Sequence, residues 1–226
     1  PFKAIKKLLA QDWRLIFHNT KPLFTDEPNA GYWENNRKKV SLSLNSFQAE
    51  RAAFVNRLIG AISARSLIDI GSGDGSFANK IKSDNATVSI RTTDYAPKSI
   101  AWLDELGLSP TFLDLTSPNF PDIGKYDIVC VMEVLEHLPD SERTLKKLLE
   151  ICNLALVFSV PNTGYWAYRA RMLLGKTPAQ WRVHPGEHLR FWTLHDMKKW
   201  LKDLGLAESC TVVGYEGWPI LNKILP

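Results

Sequence analysis

"IDIGSGDGSF", Ile68 to Phe77, is the stretch whose reading decides the fold. An apolar run carrying Asp69 is followed by glycines at 71, 73 and 75, with Ser72 and Asp74 between them. That pattern is a strand running into a tight turn. Glycine reaches positive φ without a Cβ penalty and lets a ligand lie against bare backbone. Two carboxylates beside that surface, Asp69 and Asp74, would repel a phosphate. The turn therefore asks for a ligand that is not held by its phosphates.

Outward from the turn, apolar periodicity predicts strands at 66–70, 87–94, 111–113, 126–132, 154–161 and 207–215. Between them it predicts helices at 75–83, 97–106, 141–151, 164–174 and 193–204, the last capped by Thr193. Such alternation predicts the α/β class: a doubly wound, mainly parallel sheet, Rossmann-like, with ligands at the carboxyl ends of the strands. Ahead of it, residues 46–62 read as a helix capped by Asn45 or Ser46, after an irregular stretch at 19–44. Residues 2–18 read as an amphipathic helix with Phe2, Ile5, Leu9, Trp13 and Ile16 on one face. Residues 1–44 are thus expected to be an N-terminal lid, including "GYW" at 31–33, over a ligand-binding domain at 45–226. A helix lying on a membrane surface is the alternative for 2–18. At the other end, "EGWPILNKILP" carries Pro219 and Pro226, which suit no central strand. The expectation is a fragment whose last strand is missing.

Composition narrows the class. Of 226 residues, 45% are hydrophobic and 23% charged, as in an ordinary globular domain. Cys130, Cys152 and Cys210 are scattered without paired metal spacing, which predicts buried thiols in a reducing, cytoplasmic setting. The net charge of +4 is matched by the segment 162–192 alone, where Arg169, Arg171, Lys176, Arg182 and Arg190 face only Glu187. That insert is either a solvated face or the receiver of an anionic substrate. Its Tyr165, Trp166, Tyr168, Trp181, Phe191 and Trp192 either stack on a ring or form the insert's own core.

Three nucleotide readings compete for the glycine turn. A phosphate loop needs Lys-Ser or Lys-Thr after its last glycine, and neither is present. The dinucleotide pattern needs glycine at 76, where Ser76 stands. Asp94, 21 residues beyond Gly73 at the end of the next strand, can take both hydroxyls of a ribose. Asp69 suits a cationic ammonium. A nucleoside with an amino-acid tail satisfies both acids, and S-adenosylmethionine is that ligand.

The chain here resembles the class I S-adenosylmethionine-dependent methyltransferases of the broad type 11 kind. The resemblance covers about 45–215 and rests on "LIDIGSGDG", "TTDY" (92–95), "FLDL" (112–115) and "YDIVCVMEVLEHLPD" (126–140). It implies that Gly71, Ser72, Gly73, Asp74 and Gly75 lie against the methionine part, with Asp94 on the ribose and Tyr95 on the adenine. Asp114 and the Leu115 backbone would read the adenine amino group, and Met132 with Glu133 would close the other side.

"MEVLEHL" poses the acceptor question. In one helical turn, Glu133, Glu136 and His137 would share a face after the fourth strand, where the acceptor belongs. With His188 from "GEHLRFWTLHD" they could hold Mn, Fe, Co or Zn. Base chemistry by His137, or a purely structural role for the turn, stays open beside the metal. His184 and His195 have weaker claims, His195 as a surface residue. The pattern is similar to small-RNA 2′-O-methyltransferases and, over "EVLEH", to ubiquinone-pathway O-methyltransferases. These resemblances imply methylation of an oxygen on a small, sugar-linked, lipid-linked or quinone-like acceptor, or on an RNA terminus. "EHLRFWTLHDMKKWLKDLGL" also resembles accessory proteins of methionine biosynthesis, which implies a non-catalytic cofactor-binding alternative.

Overall fold

The computed structural model describes residues 2–17, 42–178, 180 and 188–215. Two compact units form: Thr25–Ser159, and Pro1–Phe24 with Val160–Pro226.

In the first unit, helix α2 (Ser46–Ile62) starts at Asn45, whose side chain accepts from Gln48 N–H while the Gln48 side chain accepts from Asn45 N–H. This reciprocal cap satisfies two donors that a helix start would leave unpaired. Then follow β1 (Ser66–Ile70), α3 (Ser76–Asp84), β2 (Ser89–Asp94), α4 (Pro97–Glu105) and β3 (Pro110–Phe112). β4 (Tyr126–Met132), a single 3-10 turn (Leu135–His137), α5 (Ser141–Glu150) and β5 (Cys152–Ser159) complete it.

All strands run parallel in the order β3-β2-β1-β4-β5. Leu67, Ile68 and Ile70 of β1 and Ile128, Val129, Cys130 and Val131 of β4 are all buried, because helices cover both faces of such a sheet. Ala52, Val55 and Ile59 of α2 pack with Leu67, Phe77, Ile81, Ile128 and Cys130 in one core cluster. The strand order reverses between β1 and β4, and loops leaving adjacent strands in opposite directions open a crevice there. The turn after β1 and the turn after β4 both stand at that switch point.

The second unit holds α1 (Phe2–Phe17), α6 (Trp166–Leu173) and α7 (Leu194–Asp203). α1 packs on α6, and the Tyr165 hydroxyl donates to Asp12 Oδ1 at 2.9 Å. Thr193 and Asp196 form a capping box for α7, as the sequence predicts.

The strand expected at 207–215 does not form. Ala207–Ser209 is a 3-10 turn, and 210–215 is irregular. Thr211, Val212 and Val213 have β propensity, but propensity yields a strand only where a neighbour completes the ladder. Among the described residues β5 is the outer strand on that side. The expectations for "GYW" and for 216–226 lie outside the described residues. No helix among the described residues is long and apolar enough to cross a membrane.

Candidate active site

The turn after β1 is built to be held before any ligand arrives. Gly71 sits at φ 71°, and a Cβ there would meet Val134 Cγ2 at 2.7 Å, so its backbone passes directly beneath the turn after β4. Ser72 N–H donates to Thr93 O at 2.9 Å, and Ser72 Oγ donates to Asp69 O at 2.8 Å. Gly73, at φ 61°, has open space where a Cβ would stand. Asp74 Oδ1 accepts from Ser76 N–H at 3.0 Å and steadies the start of α3.

Asp94 is buried at the end of β2. Its Oδ2 accepts from Gly73 N–H at 2.9 Å and its Oδ1 from Ala96 N–H at 3.0 Å. The residue assigned to a ribose on sequence grounds is therefore also the clamp of the glycine turn. Asp69 is buried too, and its carboxyl is pushed up to about 7. Burial is the main cause; the nearby Asp94 and Asp74 charges add to it, and a hydrogen bond with Ser72 works the other way. Tyr95 and Leu115 are partly exposed, and Met132 packs on the core at the end of β4. Asp114 Oδ1 accepts from both Thr116 N–H, at 2.8 Å, and Thr116 Oγ1, at 2.7 Å, closing its own turn.

The turn after β4 corrects one expectation. Glu133, Glu136 and His137 do not share a helical face, because only Leu135–His137 forms a turn of helix. Glu133 has the left-handed φ of 55°, and its N–H still donates to Ser159 O at 3.0 Å, prolonging the β4–β5 ladder. Glu133 Oε1 accepts from Ser159 Oγ at 2.7 Å and lies 3.6 Å from Arg51 Nη2. A non-glycine residue in that region is strained by about 1–2 kcal/mol, a cost the ladder bond and the carboxylate contacts offset.

Glu136 is the outlier. Its side chain is 1% exposed, and among the described residues no other residue hydrogen-bonds either carboxylate oxygen. His137 Nε2 stands 3.8 Å from Oε1. Burial, then the neighbouring Glu133 charge, drives the Glu136 carboxyl well above the ordinary range, and its own backbone N–H, then Arg51, oppose this. Arg51 was not singled out by sequence reasoning. It is one arginine on an amphipathic helix, and only the packing of α2 brings it, 14% exposed, to Glu133.

In the second unit His188 is buried with its ring 6.4 Å from Phe191. Trp192 is buried against Trp200 of α7 at 5.4 Å, so this aromatic packs the end of the insert on that helix. His195 is exposed, as expected. Two arginines of the basic run donate to backbone carbonyls, Arg169 from an exposed position and Arg171 from a buried one. Arg169 Nε donates to Gly164 O. Arg171 is buried, with Nε donating to Thr177 O at 2.6 Å and Nη1 to the carbonyls of Leu15 and Ile16, both at 3.3 Å. Their charge is spent on orphan carbonyls at helix and loop ends. Trp181, Arg182, His184 and Glu187 lie outside the described residues.

A family profile described as a methyltransferase domain matches residues 32–208, most of the chain. The chain belongs to the methyltransferase domain family. It is a class I S-adenosylmethionine-dependent methyltransferase, with the Rossmann-like fold of that class. The ubiquinone biosynthesis O-methyltransferase of Escherichia coli O157:H7 is 26% identical over 105 residues, 45% of this chain and 44% of that one. The chain thus matches under half the length of the curated relative. The methyltransferase domain of bacterial CtHen1-C superposes with a TM-score of 0.54 at 20% identity, covering 71% of this chain and 84% of that one. The plantazolicin methyltransferase BpumL, solved with a pentazolic desmethylPZN analog and S-adenosylhomocysteine, superposes with a TM-score of 0.56 at 16% identity, covering 88% of this chain and 74% of that one. These two similarities concern the fold of the methyltransferase domain.

Proposed function

We propose that the protein transfers the methyl group of S-adenosylmethionine to an oxygen of a small, sugar-linked, lipid-linked or quinone-like acceptor. The observation that carries the oxygen is Glu136: a buried carboxylate that no other described residue hydrogen-bonds, next to an imidazole, at the carboxyl end of β4. Burying such a group without a partner costs about 1–3 kcal/mol or more, so a site that keeps one has a use for it. A methylated amine has less need of two carboxylates and a histidine.

The cofactor roles follow from the turn after β1. The open face of Gly73 receives the methionine part, with Gly71, Ser72, Asp74 and Gly75 framing it. Asp69 answers the ammonium, Asp94 the ribose, Tyr95 the adenine ring, Asp114 and the Leu115 backbone the adenine amino group, and Met132 the opposite side. In the reaction the acceptor oxygen attacks the sulfonium methyl in line. A C–O bond forms, the C–S bond breaks with its electron pair returning to sulfur, and the hydroxyl proton passes to His137. The sulfonium supplies the electrophile, so the protein's part is alignment and proton removal. Glu136 Oε1, 3.8 Å from His137 Nε2, would stabilise the imidazolium only in its ionised form, which that positive charge itself favours.

Glu136 and His137 also fit a divalent metal, since a buried carboxylate lacking donors is a ready ligand. Glu133 and His188 are the further ligands of that reading. A bound ion would lower the pKa of the acceptor hydroxyl.

The test is product formation. S-adenosylhomocysteine release is followed with a panel of phenols, sugars and RNA termini, before and after chelation. Turnover with a hydroxyl acceptor, lost by about a hundredfold in Glu136→Gln and His137→Ala while cofactor affinity holds, supports the reading. Tight cofactor binding with no turnover on any acceptor would point to the accessory role instead. Metal content measured in wild type, Glu136→Gln and His188→Ala decides between ion and base.

A further inference from the structure

The 3-10 turn that carries Glu136 and His137 is three residues long, too short to hold its own place. Inside it, His137 N–H donates to Val134 O at 3.0 Å and Leu138 N–H to Leu135 O at 3.2 Å. Both bonds join residues three apart, a poorer geometry than the α-helical bond. At the front end, Glu133 N–H donates to Ser159 O and Glu133 Oε1 accepts from Ser159 Oγ, which ties the turn to β5. No other described residue hydrogen-bonds the Glu136 carboxylate, so its position follows from the backbone beneath it.

At the far end stands Ser141, the first residue of α5 and fully buried. A serine near a helix start ordinarily bonds backbone close to itself. Here Ser141 Oγ reaches back six residues and donates to Leu135 O at 2.7 Å, and it lies 3.2 Å from Leu138 O. A hydroxyl has one proton, so the shorter contact is the main bond and the longer one is secondary. Leu135 O thus accepts from Ser141 Oγ and from Leu138 N–H at once, at the residue directly before Glu136. The giver of that bond is itself fixed. Asp140 caps α5 by accepting from Arg143 N–H at 2.9 Å, and Arg143 Nη2 donates to Thr116 O and Ser117 O, at 3.3 and 3.4 Å. Leu145 and Leu148 of the same helix are buried.

We propose that Ser141 is a positioning residue for methyl transfer: its hydroxyl sets where the Glu136 carboxyl and the His137 imidazole stand. It acts through the Leu135 carbonyl. Without that bond the turn keeps its link to β5 at Glu133 but loses the one to α5, and the two side chains between are free to drift. Misplacement by about 1 Å is enough to cost a reaction up to a hundredfold. The proposal rests on the assignment of Glu136 and His137 to the acceptor side, whether they serve as base or as metal ligands.

Ser141→Ala removes the bond, and Thr144→Val is its control. Thr144 Oγ1 donates to Asp140 O at 3.1 Å, at the same helix start, and valine keeps its shape without the hydroxyl. The ring signals of His137, identified by their loss in His137→Ala, are followed by NMR in the free protein at one fixed pH. Ser141→Ala should shift or broaden them, and Thr144→Val should leave them in place. Affinity for S-adenosylhomocysteine, measured by calorimetry, should hold in both. On a phenol that wild type methylates, Ser141→Ala should lose kcat about tenfold or more with KM for S-adenosylmethionine unchanged. A role in stability alone would lower both melting temperatures and leave the His137 signals where they are. Should Ser141→Ala not fold, Ser141→Cys keeps the volume and weakens the donor, and the same shift is expected of it. Unmoved His137 signals in a folded Ser141 variant overturn the proposal, as does an equal shift in Thr144→Val. A shift in Ser141→Ala with turnover intact supports the placement by Ser141 and overturns the assignment of Glu136 and His137 to the chemistry.

Discussion

The turns after β1 and β4 leave neighbouring parallel strands at the same end of one sheet, yet they are built on opposite plans. In the first, Ser72, Gly73 and Ser76 each send an N–H to a partner nearby: Thr93 O, Asp94 and Asp74. In the second, Glu136 keeps both carboxylate oxygens buried, with no hydrogen bond from any other described residue, and Glu133 takes a left-handed backbone. A turn that satisfies itself is held in place by its own hydrogen bonds. A turn that withholds satisfaction from a buried charge leaves the missing interaction to a proton, a metal or a substrate. On the function proposed above, the difference separates the cofactor side of the site from its chemical side.

Four experiments can break or sharpen that contrast. The largest effect is expected from Gly71→Ala, which places a methyl at 2.7 Å from Val134 and an alanine at positive φ. Denaturant unfolding should show a loss of roughly 2–5 kcal/mol, with cofactor binding lost as well. Adding Val134→Ala should recover the contact part and not the backbone part. Full stability in Gly71→Ala alone would mean that the two turns do not touch as described.

Next in size is the pH dependence of Asp69. Its carboxyl moves from the ordinary 3.8 to about 7 in the fold, so the folded state binds a proton that the unfolded chain has released. Its favourable contribution is complete below pH 3.8, declines as pH rises and is gone above about 7. Across that window wild type should lose up to about 4 kcal/mol relative to Asp69→Asn. Unfolding curves for the two proteins at pH 5 and pH 8 measure it, and parallel behaviour would refute the buried acid.

Asp94→Ala removes the acceptor of two backbone N–H groups as well as the proposed ribose contact. Calorimetry should show cofactor affinity about 10- to 100-fold weaker. If Asp94 served the loop alone, stability would fall and the affinity of the folded fraction would not.

The smallest effect carries the opposite sign. Glu136→Met replaces a buried carboxyl that no other described residue hydrogen-bonds with an apolar side chain of similar length, and should stabilise the free protein by about 1–2 kcal/mol while methyl transfer is lost. Destabilisation would show that Glu136 is satisfied within the fold and that the two turns are alike after all.

Much of this molecule was legible along the chain. The helices and sheet strands up to Ser159 fall within a few residues of their expected bounds, because apolar period and capping residues are local signals. The caps Asn45 and Thr193 and the positive-φ glycines of the turn after β1 belong to the same class, since each is dictated by its own backbone. What the chain alone could not decide is where a polar side chain spends its bonds. The basic run reads either as a solvated face or as a receiver of an anionic substrate, and neither reading foresees that Arg169 and Arg171 donate to carbonyls, the buried Arg171 reaching back to α1. Arg51 had no signal at all, and Glu133 left its expected helical face because the β4–β5 ladder claimed its N–H. The segment 207–215 had strand propensity but gained no ladder. The reason is common to all of them. Periodicity and capping are set by neighbours in sequence, whereas hydrogen-bond and charge partners are set by neighbours in space, and only the packed structure decides who those are.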